Sequence, residues 1–249
     1  MDRTLQMRKR LFIVHHLGLG DHLICNGLYR EKADNYKRVV FLVKRRNGKT
    51  VKRMLSDVGN ISVLEVPATF SFLSDRLQSA IGKVLLVFGW TILRLGSFGK
   101  DFMREGCSNS FDEQFYDQAG VSFDMRWERG TIPRDSRQEA LTLRILVGNA
   151  KEHVFVHDDV DRGFHIENRY LPSDVKVVRP IPYLGLDFFS HAAVIETAKE
   201  VHLMGSSFLA LAQGLRLESP AFVHDYARSD TASNPRLRQT LKGNWTQVL

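Results

Sequence analysis

The stretch LFIVHHLGLGDHLICNGLYREK, Leu11 to Lys32, decides how the first half of the chain is read. Leu11-Phe12-Ile13-Val14 and His15-His16 form a short β-rich run that ends at Gly18-Leu19-Gly20-Asp21-His22. From His22 to Lys32, Ile24, Leu28 and the stem of Glu31 recur at helical spacing. A strand, a turn with two glycines and a helix are how a dinucleotide-binding loop begins. The G-x-G-x-x-G form needs its third glycine so that helix and strand pack closely. Here that place holds Leu23, and the next glycine is Gly27. Lys44 stands at the end of the second strand, where an acidic residue would meet a ribose. The mismatch disfavours a nicotinamide or flavin cofactor. Two readings stay open: a turn whose small residues let backbone N–H groups approach a ligand, or a tight turn with no further task.

Outward from this stretch the same alternation continues. Arg38–Val43 reads as a buried strand, and residues 48–57 as a helix with Val51, Met54 and Leu55 on one face. Ile61–Val66 is a third strand, stopped by Pro67; a helix over about 71–82 and a strand over Val84–Phe88 follow. Strand and helix in turn predict a parallel sheet covered on both faces. Between Gly96 and Pro133 the chain is polar, aromatic and punctuated by glycine, with a helix at Phe111–Gln118 stopped by Gly120.

Past Pro133 the pattern resumes. A helix over about 135–147 precedes a strand at His153–His157, which runs into HDDVDRGF. A strand at Val175–Val178, a helix over about 188–199 and a strand at Val201–Met204 come next. That strand ends in Gly205-Ser206-Ser207, where Phe208, Leu211, Ala212 and Leu215 begin an apolar helix face. Pro220–His224 is the last strand, and Pro235–Leu249 reads as an amphipathic helix. The expected organisation is an α/β domain over 1–132, a second over 133–230 and a helical tail over 231–249.

The 249 residues are 43% hydrophobic and 25% charged, ordinary for a globular protein with buried cores. The net charge of +7 suits acidic partners: nucleotide phosphates, a membrane face or nucleic acid. Arg3, Arg8, Lys9 and Arg10 precede the first strand, and Lys44, Arg45, Arg46, Lys49, Lys52 and Arg53 follow the second. Both clusters also fit a solvated surface. Cys25 and Cys107 lack CxxC spacing, so a disulfide framework and a zinc site are disfavoured and a reducing, cytoplasmic setting is expected. No apolar stretch is long enough for a signal peptide or a bilayer span. The basic N-terminus leaves room for a peripheral membrane contact. Nucleic acid is disfavoured, because no recognised motif or aromatic–basic interleaving supports it.

Several motifs carry candidate chemistry. Gly48-Lys49-Thr50 lacks the earlier glycine of a phosphate-binding loop, since Val43 holds that place. His15, His16 and His22 are close in sequence, but neighbouring strand residues face opposite sides and no HExxH is present, so no metal site is expected. Gly205-Ser206-Ser207-Phe208 joins a strand end to a helix start, which is either an anion site with hydroxyl donors or a plain helix cap. In HDDVDRGF, Arg162 suits bidentate phosphate binding, and the alternative is a polar loop with internal ion pairs. Glu196 is either a solvent-facing helical residue or an acceptor for ribose hydroxyls.

In order along the chain, LGLGDHLICNG, FDEQFYDQAGVSFDMRW, FVHDDVDRGF and AKEVHLMGSSF are similar to small glycosyltransferase-like proteins of bacteria and large viruses. The layout resembles the GT-B fold: two Rossmann-like domains facing a cleft, the first on the acceptor side and the second holding the nucleotide sugar. LGLGD also resembles heptosyltransferases, which carry Gly-Asp at the end of the first strand. The resemblance implies an inverting, metal-independent transferase without a cofactor, moving a sugar from a nucleotide diphosphate sugar to a glycan or other hydroxyl acceptor. It implies Asp21, beside Gly20, as the general base that removes the acceptor proton, with His22 competing for that role. Gly18 and Gly20 would admit substrate near the backbone. Arg162, Ser206 and Ser207 would hold the diphosphate, with His157, Asp158 and Phe208 beside them and Glu196 at the ribose. The alternative is a non-catalytic module of the same fold that binds nucleotides or glycans.

Overall fold

The computed structural model describes residues 9–15, 18–67, 74–96, 110–181 and 184–249. Arg3, Arg8, His16 and Cys107 lie outside them. The chain divides into two compact units, Met1–Thr131 and Ile132–Leu249. The last nineteen residues thus belong with the second unit and do not form a separate tail.

The first unit holds strands β1 (Arg10–Val14), β2 (Arg38–Lys44), β3 (Ile61–Val66) and β4 (Thr91–Arg94). They form one parallel sheet in the order β3-β2-β1-β4, with Phe12 opposite both Val40 and Ile92. The central pair is apolar on both faces, Leu11–Val14 and Val39–Val43 being buried. This is the signature of strands covered by helices on each side. Fully burying a side chain such as Phe12 or Phe41 stabilises the fold by about 1.5–3 kcal/mol.

The helices of this unit are α1 (Leu19–Ile24), α2 (Asn26–Asn35), α3 (Arg45–Met54), α4 (Ser74–Val87), α5 (Phe111–Ala119) and α6 (Met125–Glu128). α1 and α2 are one expected helix broken at Cys25, whose φ of −79° and ψ of 3° leave the helical region. The expected strand over Val84–Phe88 is instead the end of α4. Gln78, Ile81 and Leu85 set a helical spacing that faces the sheet, where Ile81 and Leu85 pack against Phe12, Val14, Val40 and Leu42. Gly89, at φ 76°, turns the chain before β4. A short apolar run reads as strand or helix equally well, and the neighbouring turns of the helix decide it.

The second unit holds β5 (His153–His157), β6 (Lys176–Val178), β7 (Glu200–Leu203), β8 (Ala221–His224) and β9 (Trp245–Val248). Its sheet is also parallel, in the order β6-β5-β7-β8-β9. Around it lie α7 (Ser136–Leu146), α8 (Ala192–Glu196), α9 (Ser207–Ala212) and α10 (Ser229–Ser233). Asp135 caps α7 by accepting from the backbone N–H groups of Arg137 and Gln138, each at 3.1 Å. The expected C-terminal helix is not formed. Pro235–Leu237 makes one 3-10 turn, Gly243 adopts φ 98°, and Trp245–Val248 joins the sheet beside β8. Trp245, Thr246 and Val248 are aromatic or β-branched and fit a pleated edge better than a helix.

In both sheets the strand order reverses once. β2 and β3 lie on one side of β1 and β4 on the other; β6 lies on one side of β5 and β7, β8 and β9 on the other. Open parallel sheets bind ligands beyond the carboxyl ends of the strands that flank such a reversal. Among the described residues no helix is long and apolar enough to cross a membrane.

Candidate functional site

Each unit presents one strand-end cluster. In the first, β1 ends at His15, and Gly18 begins α1 with extended angles, φ −71° and ψ 144°. Asp21 lies in the first turn, partly exposed, where the free N–H groups favour a negative charge. Its carboxylate folds back on Gly18: a Cβ at that glycine would sit 2.6 Å from Asp21 Oδ2. Gly18 therefore makes room for the Asp21 side chain.

His22 does not reach this surface. It is fully buried, and burial lowers its pKa to about 3. Its Nδ1 lies 3.1 Å from the Tyr29 hydroxyl, which is 2.7 Å from His15 Nε2. Tyr29 in turn stacks on Phe41, with ring centroids 4.4 Å apart. The two imidazoles thus hold the strand end from inside, and His22 is withdrawn as a candidate base because no acceptor hydroxyl can touch it.

Two further devices fix the turn, and sequence reasoning missed both. The buried Gln78 of α4 accepts from the His15 N–H at 3.2 Å and donates to the His15 carbonyl at 3.0 Å. It pairs the backbone where β1 leaves the sheet. On the other side, the FDEQFYDQAGVSFDMRW segment clamps α1 and α2. Tyr116 donates to the Ile24 carbonyl at 2.8 Å, and a Cβ on Gly27 would lie 1.9 Å from the Met125 carbonyl oxygen. Asp112 and Arg126 form a buried ion pair beneath that contact. The signal for the clamp was present as an acid, a base and a glycine, but nothing in their spacing says that they meet.

The second unit's cluster lies where β5 and β7 end side by side. Ser206 Oγ is 3.1 Å from His157 Nδ1. Ser206 stands at the start of α9, yet its side chain caps no backbone N–H, because it is turned to the imidazole. Burial lowers the His157 pKa to about 4, so the ring is neutral near pH 7. Phe208 packs beneath it at 4.5 Å and also touches Phe155, Phe188 and His191. Phe208 is thus a buried floor under His157. Ser207 is partly exposed next to it.

The HDDVDRGF loop closes on itself through paired backbone bonds between Asp159 and Phe164, both 3.0 Å, with Gly163 at φ 77° in its turn. Arg162 is exposed, paired with Asp159, and lies 5.8 Å over the Phe164 ring. Arg228, from the segment after β8, lies at the same distance over that ring and donates to the Gly205 carbonyl. Arg179 reaches Asp158 at 3.3 Å. Gln239 donates to the Ser206 carbonyl at 3.1 Å. Arg228, Arg179 and Gln239 were not singled out in the sequence, since they arrive from distant segments.

Glu196 is not brought to this end. It ends α8, four residues before the amino end of β7, and pairs with Arg134 at 2.7 Å, as does Glu139. Among the described residues no group of three or more His, Cys, Asp or Glu could hold a metal ion. A surface pocket of about 690 Å³ lies at the amino ends of β8 and β9, lined by Gln213, Arg216, Ser219, Lys242 and Trp245. None of the site residues predicted from sequence lines it, and the switch-point rule favours the opposite, carboxyl end.

No family model matches the chain, and no curated protein matches it. Solved structures do. The iron-containing dodecameric glycosyltransferase TibC from enterotoxigenic E. coli H10407 aligns with 98% of this chain at 12% identity and a TM-score of 0.50. The chain shares its fold with a glycosyltransferase. It spans 62% of the TibC chain. A glycosyl transferase of family 9 from Veillonella parvula DSM 2008 aligns with 90% of this chain and 82% of its own, at 10% identity and a TM-score of 0.49. For E. coli heptosyltransferase WaaC with ADP the shares are 96% and 92%, at 12% identity and a TM-score of 0.47. At such identities the likeness concerns the fold of the chain, two parallel α/β sheets in succession, and not its chemistry.

Proposed function

We propose that the protein is a glycosyltransferase that moves a sugar from a nucleotide diphosphate sugar to a hydroxyl acceptor. The observation that carries this reading is the β5–β7 strand end. There a hydroxyl is held on a neutral imidazole, and two guanidinium groups lie over one aromatic ring. Such a set suits a diphosphate: fixed donors and positive charge stabilise the negative charge that builds on the leaving group. Ser206, Ser207, Arg162 and Arg228 are the residues assigned to it, with His157 and Asp158 positioning them.

In the first unit Asp21 is the assigned base. As the acceptor oxygen attacks the anomeric carbon, the bond from that carbon to the phosphate oxygen breaks. The acceptor proton passes to the Asp21 carboxylate, and the nucleoside diphosphate leaves with the bonding electrons. Gly18 leaves the space into which the carboxylate folds. Inversion at the anomeric carbon and metal independence belong to this proposal, as implied by the resemblance to heptosyltransferases. A partner glycan is expected as acceptor.

The test is a thermal-shift series with nucleoside diphosphates and their sugars on the wild-type chain, since a ligand that binds only the native state raises its midpoint. A rise with a nucleoside diphosphate that is reduced in Arg228→Ala supports the reading. No rise with any of them counts against it. Donor binding without turnover, unchanged by Asp21→Asn, would favour the non-catalytic binding module.

A further inference from the structure

The end of α4 leaves apolar side chains in water. Val84 and Leu86 are 57% exposed, Val87 84% and Phe88 74%, while Leu85 alone in this run packs inward. An exposed apolar cluster of this kind marks an interaction surface. The chain then turns at Gly89 and enters β4 at Thr91, opposite Leu11. The apolar tip therefore stands level with the amino ends of the strands, away from Asp21.

That edge is basic. Arg10 lies 5.6 Å over the ring of Trp90. Arg10 pairs in register with Arg38, and the Lys37 N–H donates to the Lys9 carbonyl at 3.0 Å. Lys9, Arg10, Lys37, Arg38 and Lys83 are all exposed. The nearby carboxylates of Asp34 and Asp57 are engaged by Arg129 and Arg30. The whole first unit shares this sign. Up to Thr131 the sequence has 21 Lys and Arg against 14 Asp and Glu, and beyond it 14 against 14, so the net charge of +7 resides entirely in the first unit.

We propose that this edge docks the protein on an anionic lipid bilayer. Val84, Leu86, Val87 and Phe88 enter the boundary between headgroups and acyl chains, Trp90 sits at headgroup level, and the five basic side chains meet lipid phosphates. A second copy of the chain is the weaker occupant: a self-contact would bring two rims of like charge together, which costs free energy. The carboxyl ends of the strands stay in water in this arrangement. The proposal rests on the surface of the first unit alone and does not depend on the transferase reading.

Flotation of the full chain with vesicles tests it, using phosphatidylcholine alone and phosphatidylcholine mixed with phosphatidylglycerol. Binding is expected to the anionic vesicles only, weakening as salt rises. The paired substitution Val87→Glu/Phe88→Glu should raise the lipid concentration for half-binding at least tenfold. Lys83→Gln and Arg10→Gln, which leave the apolar tip intact, should each raise it about fivefold. Equal binding to both vesicle types, or none to the anionic ones, overturns the proposal. So does a dimer, seen by sedimentation, that Val87→Glu/Phe88→Glu converts to monomer while vesicle binding is absent.

Discussion

The two units share one architecture and differ in what their strand ends carry. Beyond β1 the first unit presents a carboxylate folded over a glycine, with the imidazoles of His15 and His22 turned inward. Beyond β5 and β7 the second presents hydroxyls and guanidinium groups around a neutral imidazole. In the proposed reading the same fold serves as an acceptor of protons at one strand end and a holder of anions at the other. What differs is which residue types the loops deliver, and this is why function has to be argued from each strand end separately.

The comparison can be broken. If the first unit supplies only the base, Asp21→Asn should lower turnover by roughly two to four orders of magnitude and leave the donor dissociation constant unchanged. Loss of donor affinity in this variant would erase the division between the units. Next in size is the Asp112–Arg126 pair. Removing one partner strands a buried charge, so Asp112→Ala should cost about 3–5 kcal/mol. Hydrogen exchange should show the loss in β1 and β2 but not in β5 and β7. Arg228→Ala should then weaken nucleoside diphosphate binding about tenfold by removing a charge-assisted contact. A fall in kcat with unchanged donor affinity would instead move Arg228 out of the anion site.

The smallest effect is a pH effect. Burial lowers the pKa of His22 in the first unit and of His157, His191, His202 and His224 in the second. For such a group the unfolded chain takes up the proton first. Stability is fully present above the ordinary value of 6.5 and is lost as pH falls from there toward the folded value, about 4 for His157 and His224. Between pH 7 and pH 6 each strongly shifted histidine costs about 0.7 kcal/mol. The buried Asp225 carboxyl, raised by desolvation, titrates in the opposite sense. The second unit should therefore lose more protection than the first over this interval. Equal loss in both would mean that the buried histidines do not set the difference.

Much of the fold was legible because β1, β2 and β5 are apolar runs too short for helices and too regular for loops. The β1 turn follows directly from β1 and the HDDVDRGF loop from β5, as MGSSF does from β7. What was not legible depends on distant partners. The end of α4 reads as a strand until Gln78 and Ile81 are seen to face the sheet. The last strand reads as a helix until β8 offers it an edge. His22 reads as a candidate base until its ring is found inside, against Tyr29. Glu196 reads as a ligand residue until Arg134 claims it. In each case the local pattern was satisfied by two structures, and a contact remote in sequence chose between them.

The break at Cys25 has a use of its own. Burial, chiefly, raises the pKa of its thiol well above the ordinary value, and the side chain is sealed where α1 gives way to α2. A thiol reacts as its thiolate, so in the closed molecule this sulfur is inert. Once the joint opens, it becomes an ordinary cysteine. In a Cys107→Ser background, the pace at which a thiol reagent consumes Cys25 becomes a clock for the opening of the segment that carries Asp21. The chain thus contains its own timer for the stretch on which its chemistry is proposed to depend.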